Sequence, residues 1–188
     1  MEKFAVEKKV DEKQIETHMK KHLSLLDEDE IEIKKLDEES VEDTIKVMRR
    51  CAFDVSEAEV RSIIIYGMSY GACVNRMLIG IGLSWPANLD YESKSIRDGE
   101  PNALYLEDPA VILSYEGRGI RRMMLQEREE EAIKRGYKYA IAYLYEDIPK
   151  GNIADMIGEA GSQLEKLFLS ENYEFFRTEK GILTVKRL

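Results

Sequence analysis

Two glycines and three arginines crowd the stretch Gly117-Arg118-Gly119-Ile120-Arg121-Arg122. Glycine lets a backbone turn sharply with its N–H uncovered, and a helix opening near Gly119 adds unpaired first-turn N–H groups and the positive end of its dipole. Such a cradle suits an anion, and the arginines suit it to a pyrophosphate. An ordinary strand-to-helix turn with exposed arginines has the same letters, so the flanking elements decide. Just upstream, Glu107 and Asp108 precede Pro109, and Glu146 ends the next apolar run, where Tyr143 and Tyr145 reach the same region. A partly desolvated carboxylate at such a point is a candidate proton acceptor; in a chain with 37 acidic residues the commoner role of any single one is a solvated strand-end charge.

The elements that place these residues follow from periodicity. Leu104 to Leu113 is an apolar extended run, and Pro109 within it cannot donate a ladder hydrogen bond, so this strand bulges or lies open there. Ile120, Met123, Met124, Leu125, Ala132 and Ile133 make a helical stripe that Arg128 and Glu129 interrupt, implying a partly exposed helix stopped at Gly136. Tyr139 to Tyr145 is apolar on both faces, as in a central strand. Upstream, Ile31 to Leu36 reads as a strand, and Ser40 with Asp43 and Ser56 with Glu59 read as caps of two helices. Gly71 to Asn75 and Leu78 to Trp85 read as a hairpin turned at Asn75-Arg76, and Pro86 to Asn102 as a long loop suited to substrate selection. Downstream come an irregular stretch from Gly151 to Gly161, a helix from Ser162 to Glu171, and a hairpin of Tyr173 to Arg177 with Ile182 to Arg187. Near the N-terminus, Ile15, Met19, Leu23 and Leu26 form an amphipathic stripe that needs a partner, either the main domain or a second copy in a homodimer. His18 and His22 lie one turn apart on it without a third ligand in view, so no metal site is assigned.

With 188 residues, 44% of them hydrophobic, the chain can build one substantial core. A net charge of -9 argues against nucleic acid or an anionic membrane as partner. Cys51 and Cys73 have neither metal spacing nor disulfide density. No apolar run approaches the roughly 20 residues of a membrane span, and the charged N-terminus is unlike a signal peptide, so a cytoplasmic protein is expected. The acidic run Asp27 to Glu30 separates an appendage, residues 1–30, from a main domain, residues 31–188.

The turn from Tyr115 to Ile120, set between a strand and a helix ending at Gly136, resembles the acetyl-CoA signature of the GNAT superfamily of N-acetyltransferases. The pattern Arg/Gln-x-x-Gly-x-Gly/Ala falls on Glu116 to Arg121. Gly119 matches it, while Glu116 stands where Arg or Gln is usual and Arg121 where a small residue is usual. The element order from Ile31 to Leu188 is similar to that family's fold: an α/β protein with a mixed, mostly antiparallel central sheet flanked by helices, here with an extra N-terminal helix.

The resemblance implies acetyl-CoA as co-substrate, its pyrophosphate on Gly117, Arg118, Gly119, Ile120, Arg121 and Arg122, and its pantetheine arm along Val111, Ile112 and Leu113. It implies that the fourth and fifth strands splay apart, that the acetyl group passes to the primary amine of a small molecule or peptide, and that Glu107, Asp108 or Glu146 takes the amine proton. The Tyr and Asn that the family often carries in its last helix fall on Phe168, which then only lines the cofactor site, and on Gly161. Phenylalanine cannot protonate a thiolate. Either another residue serves, or the thiolate leaves unaided, or the chain is a non-catalytic acyl-CoA-binding or regulatory module of the same fold.

Overall fold

The computed structural model describes residues 30–144 and 150–188. The expected N-terminal helix with His18 and His22, and Tyr145 and Glu146, lie outside the described residues. The strands are β1 (Ile31–Lys35), β2 (Tyr70–Val74), β3 (Met77–Gly82), β4 (Ser84–Asp90), β5 (Ser95–Arg97), β6 (Ala103–Leu106), β7 (Ala110–Val111), β8 (Tyr139–Leu144), β9 (Glu174–Thr178) and β10 (Gly181–Arg187). The helices are α1 (Val41–Arg50), α2 (Glu57–Ile64), α3 (Ile120–Lys134), α4 (Ile153–Ala160) and α5 (Gln163–Ser170). They build a four-stranded sheet in the order β1-β2-β3-β7 and a six-stranded sheet in the order β5-β4-β6-β8-β10-β9. All pairings are antiparallel except β6 with β8, which gives the expected mixed, mostly antiparallel α/β architecture.

Local chemistry accounts for the shorter elements. Asn75 and Arg76 both take positive φ, 49° and 67°, the left-handed pair that a two-residue hairpin turn demands. Ser56 and Glu59 close a reciprocal capping box on α2, as expected. Ser40 does not cap α1; its side chain answers Asp37, which caps the short 3-10 turn Glu38–Ser40 just before that helix.

Two runs that read as single strands each change sheets. The run Leu78 to Trp85 divides at Leu83 into β3 and β4, and Leu104 to Leu113 divides at residues 107–109 into β6 and β7. The crossings touch, since Glu107 N–H donates to the Leu83 carbonyl at 3.1 Å. Pro109 lies in the second break, consistent with its missing donor. Pro86 to Asn102 is not one long loop: β4 runs on to Asp90 and pairs with β5, while Asn102 completes the pairing by bonding both the N–H and the carbonyl of Leu89. The stretch Gly151 to Gly161 is not irregular but holds α4, capped by Asn152 and buried through Ile153 and Ile157.

One buried cluster joins α1 and α2 to the four-stranded sheet, and a second joins one face of the six-stranded sheet to α4 and α5. Helix α3 contributes Ile120 and Met124 to the first and Leu125 and Ala132 to the second, and so packs against both sheets. Fully burying Met124 or Leu125 contributes about 2 kcal/mol each. Arg128 and Glu129 do not form an exposed face of α3: they are 2% and 7% exposed. Glu129 is held by the Tyr173 hydroxyl at 2.5 Å and the Lys186 ammonium at 2.6 Å. Among the described residues no helix is long and apolar enough to cross a membrane.

Candidate functional site

After β7 the chain makes a 3-10 turn, Leu113–Tyr115, then enters α3 through Gly117 and Gly119, with φ of 78° and 75°. Nothing lies within 4 Å of a Cβ built on either glycine, so the turn needs them for left-handed backbone rather than for lack of room. Gly119 caps α3 without a side-chain bond, and no acidic residue occupies the first turn. Arg121 and Arg122 stand there instead, against the helix dipole.

Those arginines are already engaged. Arg121 pairs with Glu116 at 2.5 Å and reaches Gln163 at 3.3 Å, and Arg122 pairs with Glu171 at 2.7 Å and donates to Ser170 at 2.9 Å. Arg118 lies over the Tyr115 ring at 5.8 Å. These bonds stitch the start of α3 to α5 across a cavity of about 330 Å³, walled by Gly117, Gly119 and Ile120 on one side and by Gln163, Lys166 and Leu167 on the other. Sequence reasoning missed the α5 wall. Gln163, Lys166, Leu167 and Ser170 recur at helical spacing, and that stripe was its available signal. Lys166 forms no ion pair among the described residues, which leaves a cation for an incoming anion.

The cavity adjoins the place where the sheets part. Strands β6 and β8 run parallel and paired from Ala103 with Tyr139 to Tyr105 with Ile141, where the pairing stops. Strand β8 continues to Leu144, whereas the other chain breaks at residues 107–109 and resumes as β7 on β3, Gly80 opposite Val111. Among the described residues β7 is the last strand of its sheet, so its outer edge offers backbone donors and acceptors to an extended ligand. Val111 and Ile112 are buried, while Leu113 is 86% exposed.

Glu107 and Asp108 sit in the break itself. Burial pushes the Glu107 carboxyl above its ordinary range, with a further push from Asp108; the Asp108 amide and Arg128 pull the other way. Asp108 is exposed at its surface, and the weaker solvation of the break still pushes its carboxyl up, against Arg121. Neither forms an ion pair among the described residues, unlike Glu116, Glu129, Glu131 and Glu171. Glu146 lies outside the described residues. Phe168 is 3% exposed on the inner side of α5, with its ring 4.8 Å from that of Tyr173, and is not in the cavity wall. Gly161 cannot be replaced by a larger residue, since a Cβ there would lie 2.6 Å from the Ile157 carbonyl oxygen. The hydroxyl of Tyr173 is committed to Glu129, so the end of α5 presents no free phenol from either Phe168 or Tyr173.

No protein-family model matches the chain, and no curated protein matches it by sequence. Solved structures do match in fold. The PaiA N-acetyltransferase of Thermoplasma acidophilum in complex with coenzyme A is 16% identical, with 85% of this chain and 99% of that one covered at a TM-score of 0.61. The loading GNATL domain of CurA from Lyngbya majuscula is 12% identical over 84% and 98%, with a TM-score of 0.63. The polyamine N-acetyltransferase of Drosophila melanogaster, which forms N-acetylagmatine, is 9% identical over 85% and 100%, with a TM-score of 0.61. The likeness shows that this chain has the GNAT fold.

Proposed function

We propose that this chain is an acetyl-CoA-dependent N-acetyltransferase acting on a primary amine of a small molecule or peptide. The observation that carries the reading is the free edge of β7 beside a glycine cradle: an extended arm can lie in the opening with its diphosphate on residues 117–122. The structural likeness to a protein solved with coenzyme A and to one that acetylates polyamines supports it. Val111, Ile112 and Leu113 hold the arm, and Arg118, Arg121 and Arg122, with Lys166, meet the phosphates. The neutral amine nitrogen attacks the thioester carbonyl, the N–C bond forms as the C–S bond breaks, and the coenzyme leaves as thiolate. The surplus proton on nitrogen passes to Glu107 or Asp108, raised carboxyls at the opening that suit this transfer. Two unpaired carboxylates and the chain's net charge of -9 favour a cationic acceptor and disfavour nucleic acid. The domain on this reading is residues 31–188, in the cytoplasm, where the free Cys51 and Cys73 stay reduced.

Calorimetric titration with acetyl-CoA, followed by coenzyme A release with a panel of polyamines and peptide N-termini, tests the proposal. Binding with turnover supports it, and no binding at millimolar acetyl-CoA overturns it. Binding without turnover favours the second reading, a non-catalytic acyl-CoA module, which the aromatic Phe168 in place of an acid specifically supports.

A further inference from the structure

The Arg128 guanidinium is 2% exposed yet has no carboxylate partner among the described residues. Its acceptors are backbone carbonyls: Nε donates to Met124 at 3.2 Å, and one terminal nitrogen donates to Leu83 at 3.1 Å and to Glu107 at 3.5 Å. Leu83 and Glu107 are the two points where the chain leaves one sheet for the other. The Leu83 carbonyl, already bonded by the Glu107 N–H, takes the guanidinium on its second lone pair, and the Glu107 carbonyl takes it where β6 has ended, so an arginine from α3 ties the two crossings. Space for it comes from Gly82, where a Cβ would lie 2.9 Å from the guanidinium carbon and 3.0 Å from Nε. Burial lowers the Arg128 pKa to about 10, and it remains charged at neutral pH.

A buried cation without a counter-ion is costly, and an apolar residue of similar volume is frequently no less stabilising. We propose that Arg128 is a positioning residue of the acyl-transfer site: it pins the two strand crossings together, which fixes the opening between β7 and β8, and it places its cation beside Glu107. The inference rests on the acetyltransferase reading. Among the described residues the charged groups facing Glu107 are Asp108 on its own segment and Arg128 from α3. Asp108 favours the protonated acid and Arg128 favours the carboxylate, the form able to accept a proton.

The test is a carboxyl-carbon NMR titration of Glu107 in the full chain, alongside acetyl-CoA calorimetry and pH-rate profiles, for wild type, Arg128→Met, Arg128→Lys and Gly82→Ala. In Arg128→Met the Glu107 titration and the rising limb of kcat should move to higher pH, with kcat down about tenfold or more and acetyl-CoA affinity within about threefold of wild type, because the cradle lies on other residues. Arg128→Lys keeps the charge without the fork; it should restore the titration and leave kcat low. Gly82→Ala displaces the guanidinium while retaining it in the chain, and decides the matter if Arg128→Met does not fold: Glu107 should again titrate higher. A folded Arg128→Met, or failing that Gly82→Ala, in which Glu107 titrates as in wild type overturns the proposal. The titration is read without turnover, so a failure to find any acetyl transfer counts against the functional reading and leaves this result standing.

Discussion

Glu116 holds Arg121 at 2.5 Å across the mouth of the glycine turn, an acid in the place where the related pattern carries Arg or Gln. The exchange is paired: Arg121 replaces a small residue and brings the positive charge that Glu116 removes. The Glu116–Arg121 pair is therefore neutral by itself, and a diphosphate must compete with Glu116 for Arg121. Glu116→Gln keeps an acceptor for the guanidinium and removes the like charge. It should tighten acetyl-CoA binding by about three- to tenfold at low salt, and by less at high salt. Weaker binding in calorimetry would mean that the carboxylate's hold on Arg121 outweighs its repulsion of the phosphates.

The left-handed φ of 75° at Gly119 makes a sharper demand. Gly119→Ala should cost about 1 kcal/mol of stability through backbone strain alone, since nothing obstructs the methyl group. Gly119→Asp adds a carboxylate at the first-turn N–H groups, satisfying them internally. It should abolish the concentration-dependent thermal shift with acetyl-CoA, and a retained shift would remove the cradle from the binding site.

The cradle could be read from sequence because its requirements are local: glycine where φ is positive, and a helix that starts next to it. Arg128 could not. Its burial depends on a missing side chain at Gly82, remote in the chain, and periodicity reads any arginine in a helix as a surface residue. The first sheet crossing was hidden for a related reason: Leu78 to Trp85 is apolar on either side of the break, and only hydrogen-bond partners distinguish one strand from two, whereas Pro109 marked an opening at the second. Asn88 and Asn102 looked like loop residues because asparagine favours turns. Here Asn102 bonds the strand backbone at Leu89.

Acid stability should report on Glu131. Partial burial pushes its carboxyl up, but hydrogen bonds from Lys35 at 2.8 Å and Arg135 at 2.7 Å prevail and bring it down to about 2 from 4.5. A depressed folded-state pKa stabilises above the unfolded value, and that stabilisation is lost as pH falls from about 4.5 through about 2. Its size is about 2 kcal/mol, discounted for the solvent-facing Lys35. Urea unfolding of Glu131→Gln across this window should show a flatter decline than wild type, and parallel curves would refute the assignment.

Glu107 should show the opposite sign, and with it a trade between stability and activity. Its carboxyl is raised in the folded state, first by burial and then by Asp108, so folding favours the protonated form. Stability from this group is full below the unfolded pKa and is lost as pH rises through the folded one; at neutral pH the carboxylate is a net cost. Glu107→Gln removes that cost and should unfold at a higher temperature than wild type at pH 7, with no such gain at pH 4. If Glu107 takes the amine proton, the same change lowers kcat by about 10² to 10⁴ and removes the rising limb of the pH profile, with KM for acetyl-CoA little altered. Asp108 is raised by weaker solvation alone and opposed by Arg121, so Asp108→Asn should stabilise in the same sense. It keeps the limb if Glu107 is the base. Loss of the limb only in Asp108→Asn would transfer the role to that residue, and its survival in both variants would move the search to Glu146.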